Sequence, residues 1–298
     1  MLSGRFDTHG LSMTPLSRIL SEASIGKAYL KQMNIRPWQE LQPDAPKELN
    51  GLIMSTYFGG RAEVHLRRII HQVLYCDFLS MYPTVCTLMD LWRFVISKSM
   101  TWHDATIETA ELLDRATLTD LQKAETWPLT TLVEIEPDGD ILPVRARYAG
   151  EQQATIGLNH LSSNQPLWFT LADCLASKIL TGRSPKVVRA MRFSPGELQD
   201  GLKPISMAGN DAYRIDPLKD DLYRRLIDLR SAVKVRMKAT CGAEKDAFDA
   251  EQQALKILAN ATSYGIFVEL IVDDLDKKET RLCLGLGNDD LAAGRNHG

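Results

Sequence analysis

Apolar residues return at three- and four-residue steps across Leu16–Met33 (LSRILSEASIGKAYLKQM), the spacing of one face of an amphipathic helix, and Pro37 closes that stretch. A loop rich in Pro, Asp and Asn runs to about Asn50, followed by a short apolar stretch and the turn Gly59-Gly60. The segment His71–Phe78 alternates as a strand does, with Val73, Tyr75 and Asp77 on one face and Leu74, Cys76 and Phe78 on the other. Pro83 falls where a following helix would open, a position that tolerates the missing N–H. Between Thr131 and Tyr148, two apolar runs flank Pro137-Asp138-Gly139-Asp140, which predicts a hairpin. The pattern from Leu167 to Leu180 predicts a helix with Gly182 just past its end. After loop-rich sequence from Gly201 to Pro217, two long helical patterns (about Leu218–Ala239 and Ala243–Ser263) meet at Cys241-Gly242 and predict a helical hairpin. The apolar run Ile266–Val272 predicts a strand after it. There is no internal repeat and no low-complexity tract.

Composition narrows this picture modestly. A chain of 298 residues with 44% hydrophobic content can bury one sizeable core or two smaller ones, so disorder is not its expected state. No run of about 18 apolar residues occurs, and MLSGRFDTHG carries neither a basic nor an apolar leader segment, so a cytoplasmic protein without a membrane partner is expected. The cysteines, at 76, 86, 174, 241 and 283, are odd in number and form no CxxC pair, which argues for thiols over a disulfide framework or compact zinc site. Net charge is -3, yet Asp221–Thr240 holds six basic residues (Arg224, Arg225, Arg230, Lys234, Arg236, Lys238) against two acidic ones (Asp221, Asp228). That local excess makes this helix the candidate anion-binding face.

Four strings carry candidate chemistry. In Tyr75-Cys76-Asp77-Phe78-Leu79-Ser80-Met81-Tyr82-Pro83, a carboxylate at a strand end, beside a helix start, offers a fixed oxygen ligand for Mg²⁺ while backbone N–H groups remain free for phosphate. In Lys256-Ile257-Leu258-Ala259-Asn260-Ala261-Thr262-Ser263-Tyr264-Gly265, residues 256, 260 and 264 share one helix face, so a cation, an amide and an aromatic ring point together. Arg230 and Lys234 stand at i, i+4 on the preceding helix, where an antiparallel hairpin brings them toward Lys256 as a clamp for an anion that reacts by in-line displacement. Tyr57-Phe58-Gly59-Gly60-Arg61 pairs two glycines, which let a backbone approach phosphate closely, with a cation.

Taken in order, these strings resemble family B DNA polymerases: a Y-x-G-G segment, motif A (D-x-x-S-L-Y-P, with Met81 in the leucine position), a phosphate-binding Arg and Lys, and motif B (K-x-x-x-N-S-x-Y-G). Motif B departs from the pattern in that one extra residue lies between Asn260 and Tyr264, and Ala261 takes the serine position. The segment Pro166–Gly182 is loosely similar to the palm helix that leads to the fingers. The resemblance covers roughly residues 50 to 270. It implies that Asp77 is the metal-binding catalytic carboxylate, that Ser80, Met81 and Tyr82 line the nucleotide site with Tyr82 as sugar gate, and that Arg230, Lys234 and Lys256 hold the triphosphate. It places Asn260 and Tyr264 beside the nascent base pair, and Tyr57, Gly59, Gly60 and Arg61 on template DNA. Two Mg²⁺ ions, a dNTP and primer-template DNA are the implied cofactor, substrate and partner.

The implied fold is α+β: an incomplete palm from which a two-helix fingers hairpin projects. The division expected along the chain is an N-terminal helix and linker (1–50), the palm part with motif A (51–215), the fingers hairpin (216–265), and the start of a palm strand with an irregular tail (266–298). Two-metal phosphoryl transfer needs carboxylates on both sides of the metal pair, and no D-T-D string follows Gly265. Asp273, Asp274 and Asp276 read as a polar turn. The expectation is therefore a polymerase fragment, doubtful as an enzyme alone: either a truncated polymerase gene or a piece whose remaining part is encoded separately. The alternatives are a non-catalytic nucleotide or primer-template binding module, or an inactive remnant. His65, His71 and Cys76 have no spacing suited to a tetrahedral metal site and read as structural.

Overall fold

The helical period near the N-terminus and the two long ones near the C-terminus all become helices, and they converge on one core. The computed structural model of the chain describes residues 22–58, 66, 68–78, 80–123, 127–146, 155–263, 273–276 and 279–281. In chain order the elements are α1 (Glu22–Gln32), α2 (Trp38–Leu41), α3 (Lys47–Ser55), α4 (Met81–Leu88), α5 (Leu91–Val95), β1 (Met100–Asp104), α6 (Thr106–Arg115), α7 (Leu118–Lys123), β2 (Thr131–Glu136), β3 (Asp138–Ala146), β4 (Thr155–Ser162), β5 (Leu167–Thr170), α8 (Leu171–Thr181) and β6 (Lys186–Pro195). Then follow the two-residue strands β7 (Ile205–Ser206) and β8 (Arg214–Ile215), the helices α9 (Leu222–Lys238) and α10 (Gly242–Ser263), and the strands β9 (Asp273–Asp276) and β10 (Glu279–Arg281). The fold is thus α+β. Among the described residues no helix is long and apolar enough to cross a membrane.

The chain divides into two compact units, each assembled from separated stretches: Met1–Pro43, Cys76–Met100 and Pro195–Glu269 in the first, and Asp44–Tyr75, Thr101–Ser194 and Leu270–Gly298 in the second. The first unit is largely helical. Ile25, Tyr29 and Met33 of the N-terminal segment share a core with Trp92, with Tyr223, Leu226 and Val233 of α9, and with Leu255 and Leu258 of α10. The Trp92 ring meets Tyr223 edge-on, and its indole N–H donates to the Pro217 carbonyl at 3.1 Å, so the buried polar edge is satisfied. Gln199, 4% exposed, accepts from the Arg36 N–H and donates to the carbonyls of Arg36, Val95 and Ser97, tying three loops together.

The second unit is built on a four-stranded sheet in the order β1-β6-β2-β5, with β2 antiparallel to both β5 and β6. Helix α8 buries Leu171, Cys174 and Leu175 in this unit's core with Val133, Ile135, Leu142, Phe169 and Ala190. Both of its ends are capped. Thr170 and Asp173 form a capping box, and Gly182 closes the helix at φ 71°, a conformation that side chains resist.

Several expectations are corrected. The Pro137–Asp140 turn does not make a hairpin of its flanks: β2 joins the four-stranded sheet, while β3 pairs with β4 from Asp138↔Ser162 to Ala146↔Thr155. The first residues of the predicted 167–180 helix are instead strand β5, because Leu167–Thr170 pair with Leu132–Ile135. Asp273, Asp274 and Asp276 lie in β9, paired with β10, and not in a turn. The sharpest correction concerns His71–Phe78, which forms no strand: Val73, Leu74, Tyr75 and Phe78 are 79–91% exposed. Both faces of that segment are apolar, so a strand there needs neighbours on both sides, and no strand among the described residues pairs with it. The predicted Ile266–Val272 strand and the first part of the Leu16–Met33 helix lie outside the described residues.

Candidate nucleotide-phosphate site

The site lies within the first unit and starts from a left-handed residue. Ser80, at φ 48° and ψ 53°, turns the chain into α4, and its carbonyl accepts the Thr84 N–H at 3.0 Å, the first bond of that helix. Pro83 is buried in the first turn, where its missing N–H costs nothing. The Ser80 hydroxyl accepts from the Arg230 guanidinium at 2.9 Å. Arg230 is only 8% exposed, and its Nε donates to the Gln252 side-chain oxygen at 3.4 Å. Gln252 in turn donates to the Asp249 carboxylate at 2.9 Å. The start of α4, the middle of α9 and the middle of α10 are therefore stitched through one buried cation.

Around Arg230 the charge is strongly unbalanced. Burial holds its pKa below the ordinary value, and the Asp77 carboxylate pulls it back up. Lys234, one turn on, is also held low, first by burial and then by repulsion from Arg230, Lys238 and Lys256, with Asp77 again acting the other way. Four cations and one carboxylate thus share a field. Among the described residues no ion pair engages any of the four. Such an arrangement is costly by itself and is relieved by a multivalent anion, whose oxygens also accept the remaining guanidinium and ammonium hydrogens.

Of the residues read from the sequence as one site, Ser80 bonds to Arg230, Asp77 acts electrostatically on Arg230 and Lys234, and Lys256 acts on Lys234. Asp77 is not the strand-end carboxylate that was expected. It is exposed, in an irregular stretch with which no strand among the described residues pairs. Met81 is 45% exposed and Tyr82 half-buried, both in the first turn of α4. Asn260 is half-buried near the end of α10, and its carbonyl accepts the Ser263 hydroxyl at 3.1 Å. Tyr264, Gly59, Gly60, Arg61 and His65 lie outside the described residues. Tyr57 belongs to the second unit: it is 53% exposed and its carbonyl accepts from Arg145, whose guanidinium sits 4.7 Å over the Phe58 ring. His71 and Cys76 are exposed. Sequence reasoning missed Gln252, which fixes the Arg230 guanidinium. The signal was there, since Gln252 precedes Lys256 by one helical turn and shares its face.

For Mg²⁺ the donor set fits in part. Asp77 would offer one hard oxygen donor, and phosphate oxygens are the natural complement to it. No cluster of three or more His, Cys, Asp or Glu suited to a metal occurs among the described residues. Comparisons with protein-family models, curated proteins and solved structures find no match to this chain.

Proposed function

We propose that this chain binds nucleoside triphosphates as the nucleotide-gripping part of a polymerase of the family B type. Its palm and fingers would be represented by the α4 region and the α9–α10 hairpin. The observation that carries the reading is the gathering of Arg230, Lys234 and Lys256 with Asp77 beside the start of a helix, from three stretches of sequence that occur in that family's order. Two lysines and a buried arginine supply charge and directional donors for a phosphate chain. Asp77 would give a carboxylate oxygen to a magnesium ion that accompanies the triphosphate. The Ser80 hydroxyl and Gln252 hold the guanidinium in place, so its orientation is set before a ligand arrives.

In this reading the substrate is a dNTP, the partner is primer-template DNA, and the chemistry is transfer of a nucleotidyl group to a primer 3′ end. Asp77 is the catalytic carboxylate on this chain. A second carboxylate is required for two-metal transfer, and a separately encoded segment is one source for it. A second reading, capture of nucleotide or primer-template DNA without catalysis, is favoured by the exposed setting of Asp77, which lacks the fixed geometry that metal-assisted chemistry needs.

Titration of dATP with Mg²⁺ into the full chain, with primer extension alongside, tests both. Binding that Lys256→Gln weakens about tenfold or more, the worth of a charge-assisted bond, is expected. Extension abolished by Asp77→Asn supports the polymerase reading, and Mg²⁺-dATP binding without extension that Asp77→Asn leaves unchanged supports the capture reading. Absence of dATP binding overturns the polymerase reading and the capture of nucleotide.

A further inference from the structure

The cations on the hairpin do not stop at the triphosphate clamp. Arg230, Lys234 and Lys238 stand at i, i+4 and i+8 on α9, one stripe about 12 Å long from the first Cα to the last. On α10, Lys245 precedes Lys256 by eleven residues, close to three whole turns, so the two share a face. The pairing of the helices is fixed by Arg236, which lies 3.8 Å from Glu251 and stacks 5.0 Å over the Phe248 ring. Going from that contact toward the turn at Cys241-Gly242, Lys238 follows on one helix and Lys245 on the other. Both are exposed, and among the described residues neither has an ion-pair partner, whereas Arg236 is committed to Glu251. Asp249, the carboxylate on the α10 face between Lys245 and Lys256, is engaged by the Gln252 amide.

We infer that Lys238 and Lys245 extend the phosphate clamp toward the hairpin tip, so that the site takes a phosphate chain longer than that of a triphosphate and grades its ligands by the number of phosphates. The inference rests on the phosphate-site reading above but not on recognition of a base or sugar. Arg230, buried and held by Ser80 and Gln252, anchors the inner end of the chain. Lys234 follows it, and the exposed pair at the tip meets each further phosphate. Repulsion between Lys238 and Lys234 supports the same order, since the two ammonium groups share a field that an intervening phosphate relieves. A donor row that continues past Lys234 makes a nucleoside tetraphosphate, or an inorganic chain of four phosphates, the better-matched ligand.

The test uses the full chain and inorganic pyrophosphate, tripolyphosphate and tetrapolyphosphate, with dATP measured in parallel by calorimetry. Affinity is expected to climb along the series, with a step of roughly threefold to fivefold from three phosphates to four, the worth of an exposed charge pair. Lys238→Gln combined with Lys245→Gln removes that last step. Arg224→Gln, which deletes a charge elsewhere on α9, leaves it in place. Equal affinity of the wild-type chain for three and four phosphates overturns the inference, and so does a loss of the step in Arg224→Gln, which would show net charge at work instead of a row. Graded binding of the inorganic chains without dATP binding retains the inference and sinks the nucleotide reading. Binding of dATP without grading does the reverse, and failure of every chain to bind overturns both.

Discussion

Arg230 and Lys234 are one helical turn apart but face different energetics. The Arg230 guanidinium is buried, with hydrogen-bond partners on Ser80 and Gln252, so its removal leaves polar groups unpaired and destabilises the fold. Lys234 has no ion-pair partner among the described residues and is surrounded by like charge. Because the folded chain depresses its pKa, its proton is held less tightly than in the unfolded chain. Its charge therefore costs stability at neutral pH, and that cost disappears as pH rises through the interval between the folded and unfolded values. Lys234→Met, which keeps the apolar stem, is expected to raise stability by about 0.5 kcal/mol while weakening dATP affinity about tenfold. Denaturant unfolding and calorimetry on one preparation read both quantities. A joint loss of stability and affinity would mark Lys234 as a structural residue. The cysteines differ in the same environment-driven way: burial, followed by the Asp221 carboxylate, pushes the Cys86 thiol up to about 11, whereas Cys76 is exposed.

At the scale of elements, the helical hairpin was legible and much of the sheet was not. Helices α9 and α10 carry a 3.6-residue period over long windows and break at Gly242, which takes φ 61°. The strands are short and take their identity from partners. Lys186–Pro195 shows no clean alternation, yet it is held between β1 and β2 in the sheet. His71–Phe78 is the opposite case, since its apolar run reads as a strand and no described strand pairs with it. Helix α1 contributes a constraint that periodicity does not reveal: a Cβ built on Gly26 would sit 2.9 Å from the Thr262 methyl carbon of α10. Gly26→Ala is expected to destabilise by about 1 kcal/mol or more, overpacking outweighing the gain in helix propensity. In a Thr262→Ala background the same change is expected to become neutral or stabilising. Thermal melts of the two single variants and the double variant check this, and additive losses would refute the contact.

For the whole molecule, the division into two units decides where a ligand acts. The stretches that carry Asp77, Ser80, Arg230, Lys234 and Lys256 all belong to the first unit, although more than 90 residues of the second intervene between α5 and α9. Hydrogen exchange with and without dATP and Mg²⁺ is therefore expected to show protection concentrated in residues 76–100 and 222–263, with little change across β2 to β6. Protection centred on the sheet would place the ligand elsewhere. The sequence by itself determined the helical hairpin, the spacing of its cations, the end of α8 at Gly182 and the α+β class, because each follows from local periodicity, capping or residue type. Only the tertiary structure decided that Asp77 is exposed, that Gln252 and Ser80 hold Arg230, and that α1 packs against the hairpin. Those outcomes depend on which distant segments meet, and a linear pattern of apolar and polar residues does not encode which surface will cover another.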